Sequence, residues 1–183
     1  MEQQKNKDFI FFLGGARSGK SVAAEARAIQ DATNTGNKPF YLATGQAFDD
    51  GMKARIKRHK AMRADHFTTI EEPIDLAGAI RAIDATKSII LIDSLGIWLT
   101  NLMMAEKDWQ TPLEDLLEVM VHGDHGFVLV SDDVSGGIIP ENAMARQFRD
   151  EMGLINQRIA AAASEVFHVI AGIPTLIKSE KTS

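Results

Sequence analysis

The chain contains no cysteine, one tyrosine and two tryptophans among its 183 residues. The absence of cysteine excludes disulfide bonds and thiolate metal sites. No apolar run approaches the roughly 18 residues that a transmembrane helix needs. The N-terminal sequence MEQQKNKD is polar and is not typical of a secretion signal. We therefore expect a soluble, cytoplasmic protein without a membrane partner.

An excess of positive charge is also missing. The formal net charge is -5 at pH 7, which argues against wholesale binding to nucleic acid or to an anionic membrane. Hydrophobic residues make up 45% of the chain, which is enough for one full core. We expect a single nucleotide-binding domain over residues 1–183, with loose tails at 1–8 and 179–183.

A phosphate-binding loop is the strongest signal that is present. The apolar run FIFFL at 9–13 predicts a buried strand and leads into GGARSGKS, which fits the pattern G-x-x-x-x-G-K-[ST]. In this pattern, backbone N–H groups and Lys20 face phosphate oxygens, and the Ser21 hydroxyl binds Mg²⁺. Lys20 is therefore a candidate catalytic residue. The predicted nucleotide-binding residues are Gly14, Gly15, Ala16, Arg17, Ser18, Gly19, Lys20 and Ser21. A glycine-rich turn that matches by chance is disfavoured by the strand before it and the helix after it.

A second buried strand is predicted at Ser88–Asp93, and it ends in an acidic residue. A phosphate-loop enzyme holds its Mg²⁺ with an acid at such a position, directly or through water. The alternative is that Asp93 caps the following helix, which is predicted at Leu95–Ala105. The phosphate loop favours the metal role, so Ser21 and Asp93 are the predicted magnesium ligands.

A basic segment surrounds one histidine. Helical spacing places Arg55, His59 and Arg63 on one face, and further positive charge comes from Lys57, Arg58 and Lys60. Such a field favours the neutral, nucleophilic imidazole and attracts phosphates. The alternative is a solvated basic helix with an incidental histidine.

Strand and helix patterns alternate along the chain without a linker or an internal repeat. Further strands are predicted at Pro39–Ala43, Phe67–Glu71, Phe127–Ser131 and Glu165–Ala171. Further helices are predicted at Ser21–Asp31, Pro73–Ala85, Pro112–His122 and Glu141–Ala163. This alternation predicts an α/β fold, a P-loop NTPase-like three-layer sandwich with a mostly parallel sheet. Ligands bind at the carboxyl ends of the strands in such sheets.

Several stretches together resemble one family, the bifunctional adenosylcobinamide kinase/adenosylcobinamide-phosphate guanylyltransferases of cobalamin biosynthesis. They are GGARSGKS (14–21), YLATGQAFDDGMKARIKRHKAMR (41–63), LIDSLGIWLTNLM (91–103), GGIIPENAMARQFRDEMGLINQRIAAAASEV (136–166) and VIAGIPTLIK (169–178). The phosphate loop is generic, whereas the histidine segment and the PEN…ARQFRD…NQRIAAAA stretch are specific to this family.

The resemblance implies two reactions. In the first, ATP or GTP phosphorylates the aminopropanol hydroxyl of adenosylcobinamide. In the second, a histidine attacks the α-phosphorus of GTP, and its bound GMP moves onto adenosylcobinamide phosphate to give adenosylcobinamide-GDP. The resemblance places this histidine at His59 and also implies a homotrimer. By the same comparison, the nucleotide is bordered by Thr44, Gly45, Gln46, Lys60, Ala61, Met62, Arg63, Glu71 and Asp93.

The chain departs from the family pattern after the fifth predicted strand. Asp132-Asp133 stands where the family usually has Asn-Glu, and Ser135 replaces a usual glycine. Shortening Glu to Asp withdraws a carboxylate by one methylene, and a misplacement of about 1 Å can cost on the order of a hundredfold in rate. The kinase step therefore depends on whether Asp133 activates the hydroxyl or binds metal.

Three other classes of protein share part of this pattern. A GTPase switch would use the same loop, and Asp93-Ser94-Leu95-Gly96 matches its D-x-x-G element, but the chain lacks an N-K-x-D segment to bind guanine. A nucleic-acid binder would explain the basic segment, which nevertheless lacks interleaved aromatic residues. Another small-molecule kinase is the main alternative, and it would give His59 no covalent role.

Overall fold

The computed structural model describes residues 9–34, 36, 38–46, 65–85 and 87–180. Within these residues, strands and helices alternate as the sequence predicts. In chain order they are β1 (Phe9–Gly14), α1 (Lys20–Thr33), β2 (Phe40–Ala43), β3 (Thr68–Glu71), α2 (Leu76–Arg81), β4 (Ile89–Asp93), α3 (Leu95–Met104), α4 (Gln110–His122), β5 (Gly126–Asp132), α5 (Ala143–Ala162), β6 (Glu165–Ile170) and β7 (Ile173–Ser179).

The strands form one sheet in the order β3-β2-β4-β5-β1-β6-β7. All neighbouring strands are parallel except β6 and β7, which are antiparallel. The central strands are covered on both faces, and Ile10, Phe11 and Leu91 are completely buried. This explains why β1 and β4 are continuous apolar runs, since a strand with one solvated face would alternate apolar and polar residues.

Helices cover both faces of the sheet. On one face, α3, α4 and α5 pack onto the sheet around the fully buried Trp98 and Met152. On the other face, α1 contacts the sheet through Ala24, Ala28 and Ala32, which recur every four residues on one side of the helix. The predicted three-layer α/β sandwich with a mostly parallel sheet is confirmed. No helix in the described part of the chain is long and apolar enough to cross a membrane.

Two predicted boundaries are wrong. The helix predicted at Pro73–Ala85 forms only over α2, and it begins where Asp75 accepts a hydrogen bond from the Gly78 N–H. The loose end predicted from Ser179 is wrong for that residue, because Ser179 ends β7. The Glu180 N–H also donates to the Ser164 carbonyl at 2.9 Å. Nearly every residue of β7 is exposed, so the strand has no alternating pattern by which the sequence would predict it.

Strand β7 also caps the C-terminus of α5. The Lys178 Nζ lies 2.7–3.0 Å from the carbonyl oxygens of Ala160, Ala161 and Ala163. The last carbonyls of a helix lack partners within the helix, and positive charge is favourable at this end. Lys178 therefore ties the longest described helix to the edge of the sheet.

Replacing Lys178 with methionine is expected to lower the free energy of unfolding by about 1–3 kcal/mol, because three carbonyls lose a charged donor. Urea denaturation measures this change. Lys107→Met is the matched control, since Lys107 is an exposed lysine, and its effect is expected to stay within about 0.5 kcal/mol. An equal loss of stability in both variants would contradict the capping role of Lys178.

Candidate nucleotide site

The phosphate loop lies at the carboxyl end of β1 and leads into α1. Gly19 has a left-handed φ of 92°, and the Ser18 N–H donates to the Gly15 carbonyl at 3.2 Å. Among the described residues, no side chain caps the N-terminus of α1, which begins at Lys20. The first N–H groups of this helix and its positive end therefore face the space above the loop, where an anion is stabilised.

Strand β6 and the turn after it hold the loop from one side. A Cβ atom added at Gly14 would lie 2.6 Å from the Ser18 Oγ and 2.7 Å from the Val169 carbonyl oxygen. The Gly172 N–H donates to the Ser18 carbonyl at 2.7 Å. The loop is thus packed between its own residues and the backbone of a neighbouring strand, which leaves no room for a side chain at Gly14.

Replacing Gly14 with alanine is expected to weaken GTP binding by at least about tenfold. The added methyl overpacks the loop against the β6 backbone, and overpacking typically costs about 1–3 kcal/mol. Isothermal titration calorimetry measures the dissociation constant for GTP. Gly153→Ala is the control, because a Cβ added at Gly153 in α5 meets nothing within 4 Å among the described residues apart from the adjoining backbone of its own helix. An unchanged GTP affinity in Gly14→Ala would show that the loop tolerates a side chain there.

The side chain of Lys20 is already fixed within the loop. Its Nζ lies 2.8 Å from the Asp132 Oδ1 and donates to the Gly15 carbonyl at 3.2 Å. Asp132 ends β5, and it stands opposite Gly14 because β5 is a direct neighbour of β1. Sequence reasoning noted Asp132 as a departure from the family but did not place it beside Lys20. The available signal was an acid at a strand end, and the order of the strands was needed to interpret it.

Asp93 lies at the same edge of the sheet but farther from the loop. Strand β5 separates β4 from β1, so Asp93 ends a strand that is not adjacent to β1. The Asp93 Oδ2 accepts a hydrogen bond from the Tyr41 hydroxyl at 2.7 Å. The Ser94 Oγ, not Asp93, caps α3 by accepting from the Ile97 N–H. The capping alternative for Asp93 is therefore wrong.

The residues predicted beyond the loop occupy different positions along this edge. Thr44 is fully buried, and its hydroxyl exchanges hydrogen bonds of 2.9 Å with the Ser94 carbonyl and N–H. It links the ends of β2 and β4. Gly45 and Gln46 follow it and are half-buried. Glu71 is exposed at the end of β3, four strands from β1 in the sheet order, which is roughly 19 Å at the usual spacing. The structure does not bring Glu71 to the phosphate loop.

The basic segment cannot be placed in this geometry. His59, Lys60, Ala61, Met62 and Arg63 lie outside the described residues. Their helical face and the role of the histidine stay predictions from the sequence.

A hydrogen-bonded cluster lies just after Asp132. The Asp133 carboxylate accepts from the Ser135 hydroxyl at 2.6 Å and from the Ser135 N–H at 3.0 Å, and it lies 3.3 Å from the His168 Nε2. The bonds from Ser135 lower the pKa of Asp133, and the neighbouring His168 adds to this effect. The Ser135 hydroxyl and N–H thus orient the Asp133 carboxylate. Asp133 is directed at Ser135 and His168, whereas Asp132 contacts Lys20.

Solved structures with a similar fold place the chain in a broad structural class. The flagellar accessory protein FlaH of Methanocaldococcus jannaschii superposes with a TM-score of 0.56 at 14% identity, covering 94% of this chain and 78% of that one. A solved ATPase domain gives a TM-score of 0.55 at 12% identity, covering 98% and 79%. A KaiC-like protein from Pyrococcus horikoshii gives 0.53 at 14% identity, covering 96% and 80%. These similarities show the fold, which is P-loop NTPase-like as predicted.

Sequence relatives are much more specific. The chain is 40% identical to the bifunctional adenosylcobalamin biosynthesis protein CobU of Salmonella typhimurium, over 92% of this chain and 99% of that one. It is 37% identical to the bifunctional protein CobP of Pseudomonas aeruginosa, over 92% and 96%. Residues 10–177 match the family described as cobinamide kinase / cobinamide phosphate guanyltransferase. Because this match covers most of the chain and the relatives are 37–40% identical over 92% of it, the chain belongs to the cobinamide kinase / cobinamide phosphate guanyltransferase family.

Proposed function

We propose that this enzyme uses one nucleotide site for both reactions of its family. It phosphorylates adenosylcobinamide with ATP or GTP, and it transfers GMP from GTP to adenosylcobinamide phosphate through His59. The observation that carries the proposal is the phosphate loop itself, in which Lys20 is held 2.8 Å from Asp132 at the N-terminus of α1. The match to the family over residues 10–177 supports the identity of the acceptor.

In the kinase step, the loop N–H groups and Lys20 neutralise the charge that develops on the transferred phosphoryl group. Such positioned donors are the main source of rate enhancement in phosphoryl transfer. Asp132 keeps the Lys20 ammonium group in the loop before the nucleotide arrives. The Lys20 side chain is only 12% exposed, so its stem is packed and its ammonium group is positioned within the loop.

Ser21 and Asp93 are the proposed magnesium ligands. Their donors fit this ion, because Mg²⁺ prefers oxygen ligands and commonly takes only one or two from the protein, with phosphate and water completing its shell. Ser21 lies in the first turn of α1, and Asp93 ends β4. When bound, Mg²⁺ neutralises phosphate charge. The Tyr41 hydroxyl orients the Asp93 carboxylate that faces this edge.

In the transferase step, a neutral His59 nitrogen forms a bond to the α-phosphorus of GTP. The bond from that phosphorus to the bridging oxygen breaks, and pyrophosphate leaves with the electron pair. Lys60 and Arg63 offset the charge on the departing group. The GMP then moves from His59 to the phosphate oxygen of adenosylcobinamide phosphate, which regenerates the histidine.

The proposal is tested by following the corrinoid products. Purified protein is incubated with adenosylcobinamide, Mg²⁺ and GTP, and the corrinoids are separated and identified by mass spectrometry. We expect adenosylcobinamide phosphate to appear first and adenosylcobinamide-GDP to follow. Hydrolysis of GTP without either product would contradict the proposal and would favour the GTPase alternative. Formation of adenosylcobinamide phosphate without adenosylcobinamide-GDP would indicate kinase activity without guanylyltransferase activity.

We further propose that the chain assembles as a homotrimer in the cytoplasm, where ATP and GTP are available. The exposed apolar surface around β7 supports assembly, because Ile170, Ile173, Leu176 and Ile177 are 48–67% exposed. Sedimentation equilibrium measures the mass in solution. A monomer at all concentrations would contradict this assembly.

A further inference from the structure

An apolar pocket lies on the face of the sheet opposite α1. Its volume is about 450 Å³, and it lies between α3, the loop after β5 and the first turns of α5. The walls are formed mainly by Thr100, Met103, Val134, Ile138, Met144 and Phe148. A pocket of this size suits a small ligand or one edge of a larger ligand.

One wall of the pocket lies a helical turn along α3 from a residue that packs against Asp132, the partner of Lys20. Thr100 lies one turn after Gly96 in α3, and its hydroxyl donates to the Gly96 carbonyl at 2.9 Å. Gly96 in turn packs directly against the Asp132 carboxylate, so that no side chain fits at this position. One helical turn spans about 5.4 Å. A ligand in the pocket therefore ends close to the place where Lys20 meets the nucleotide.

Hydrogen bonds fix the backbone of the loop and helix that form the apolar walls. Arg149 donates to the carbonyls of Ser135 and Ile138, and Arg146 donates to the Pro140 carbonyl at 2.9 Å. The Asn142 side chain caps α5 by accepting from the Ala145 N–H at 3.0 Å. On this backbone, Ile138 is 96% exposed and Met144 is 50% exposed. Apolar side chains fixed in this way are typical of a preformed binding surface.

The charge of the lining residues limits the class of ligand that the pocket can bind. Within the described part of the chain, Arg149 is the only lining residue with a formal charge, and its guanidinium is occupied by backbone carbonyls. Thr100 and Asn142 add polar atoms at the rim. The lining thus favours an apolar ligand with uncharged hydrogen-bonding groups over a second nucleotide or another anionic ligand.

We propose that this pocket binds one edge of the corrin ring of adenosylcobinamide, the phosphoryl acceptor. This inference rests on the proposed function. The corrin ring is apolar and carries neutral amide arms, which match the walls and the rim. With the ring edge seated between α3 and α5, the aminopropanol arm extends along α3 towards Asp132, and its hydroxyl meets the terminal phosphate beside Lys20. The pocket thereby selects the acceptor that the phosphate loop itself does not recognise.

Binding is measured without turnover, by equilibrium dialysis of the full chain against adenosylcobinamide in the absence of nucleotide, with the corrinoid followed by its absorbance. Ile138→Ser is expected to weaken corrinoid binding about tenfold, because it removes apolar contact area from the pocket. Ala145→Leu is expected to weaken it as well, by filling the volume. GTP affinity, measured separately, should stay unchanged in both variants.

Ile139→Ser provides the matched control. Ile139 is the next residue along the loop and is 70% exposed, but it does not line the pocket. The corrinoid affinity of the Ile139→Ser variant should stay within twofold of that of the unaltered chain.

If the unaltered chain binds adenosylcobinamide and the Ile138 and Ala145 variants bind it equally well, the pocket assignment is overturned and the proposed function stands. If the variants keep their corrinoid affinity but change the mass of the protein in solution, the pocket surface contacts a second copy of the chain. This result also overturns the pocket assignment. If the unaltered chain neither binds nor phosphorylates the corrinoid, both proposals fail.

Discussion

Replacing Lys20 with methionine is expected to reduce formation of adenosylcobinamide phosphate by at least about a hundredfold, the scale on which one positioned donor acts on a transition state. The Lys20 ammonium lies at the end of the phosphate loop and is fixed there by the Asp132 carboxylate at 2.8 Å. Methionine keeps the length of the side chain but removes its charge. Because the proposed GMP transfer uses the same loop to hold GTP, we expect its rate to fall as well.

Initial rates of product formation test this prediction, with urea denaturation to show that the variant folds. Lys20→Arg is the informative second variant. It keeps the charge, but its planar guanidinium does not reproduce a compact ammonium group, so we expect activity between those of Lys20→Met and the unaltered chain. Retention of the kinase rate within threefold in Lys20→Met would rule out the role assigned to Lys20.

Replacing His59 with alanine is expected to reduce GMP transfer by at least about a thousandfold, since loss of a covalent nucleophile removes the reaction path itself. The kinase step should retain most of its rate, because it passes the terminal phosphate directly to a hydroxyl. The variant is therefore expected to accumulate adenosylcobinamide phosphate and to form almost no adenosylcobinamide-GDP. This separation of the two activities distinguishes a nucleophile from a residue that merely attracts the nucleotide.

His66→Ala is the matched control, because His66 is an exposed histidine just before β3. Both activities should be unchanged in this variant. An equal loss of both activities in His59→Ala would instead indicate that the histidine supports nucleotide binding or folding, and the small-molecule kinase alternative would then gain support.

The sequence predicted the fold well because its central strands are unusually clear. β1 and β4 are buried on both faces, so each appears as a continuous apolar run between loop residues. β7 was missed for the opposite reason, since its residues are almost all exposed and its apolar side chains face neither core. A strand at the edge of a sheet is specified by pairing with its neighbour, which a local pattern does not contain.

The sequence indicates candidate site residues only where a single segment contains them. The phosphate loop is one continuous stretch, and its conformation agrees with the pattern. Asp132 was not placed beside Lys20, because that contact depends on β5 lying next to β1, and the order of strands is a property of the whole sheet. Likewise, Ser94 caps α3. The sequence left Asp93, the residue before it, open as the alternative cap.

The departures at Asp133 and Ser135 also gained a physical meaning from the structure. Viewed as sequence, each is an isolated departure from the pattern that the resemblance implies. In the fold, the Ser135 hydroxyl binds the Asp133 carboxylate at 2.6 Å and thus fixes the direction of the shorter acid. A glycine at 135 has no hydroxyl for this contact. The two changes therefore act as a pair, which the separate positions did not reveal.

The most direct test of the central claim is a search for the histidine-bound GMP itself. The purified protein is incubated with Mg²⁺ and GTP labelled at the α-phosphate, without a corrinoid, and the label that remains on the protein is treated with acid or base. We predict a label that acid removes and base does not, and that is absent from His59→Ala. A protein that binds GTP but carries no such label would contradict the covalent mechanism and leave a phosphate-loop kinase without the second reaction.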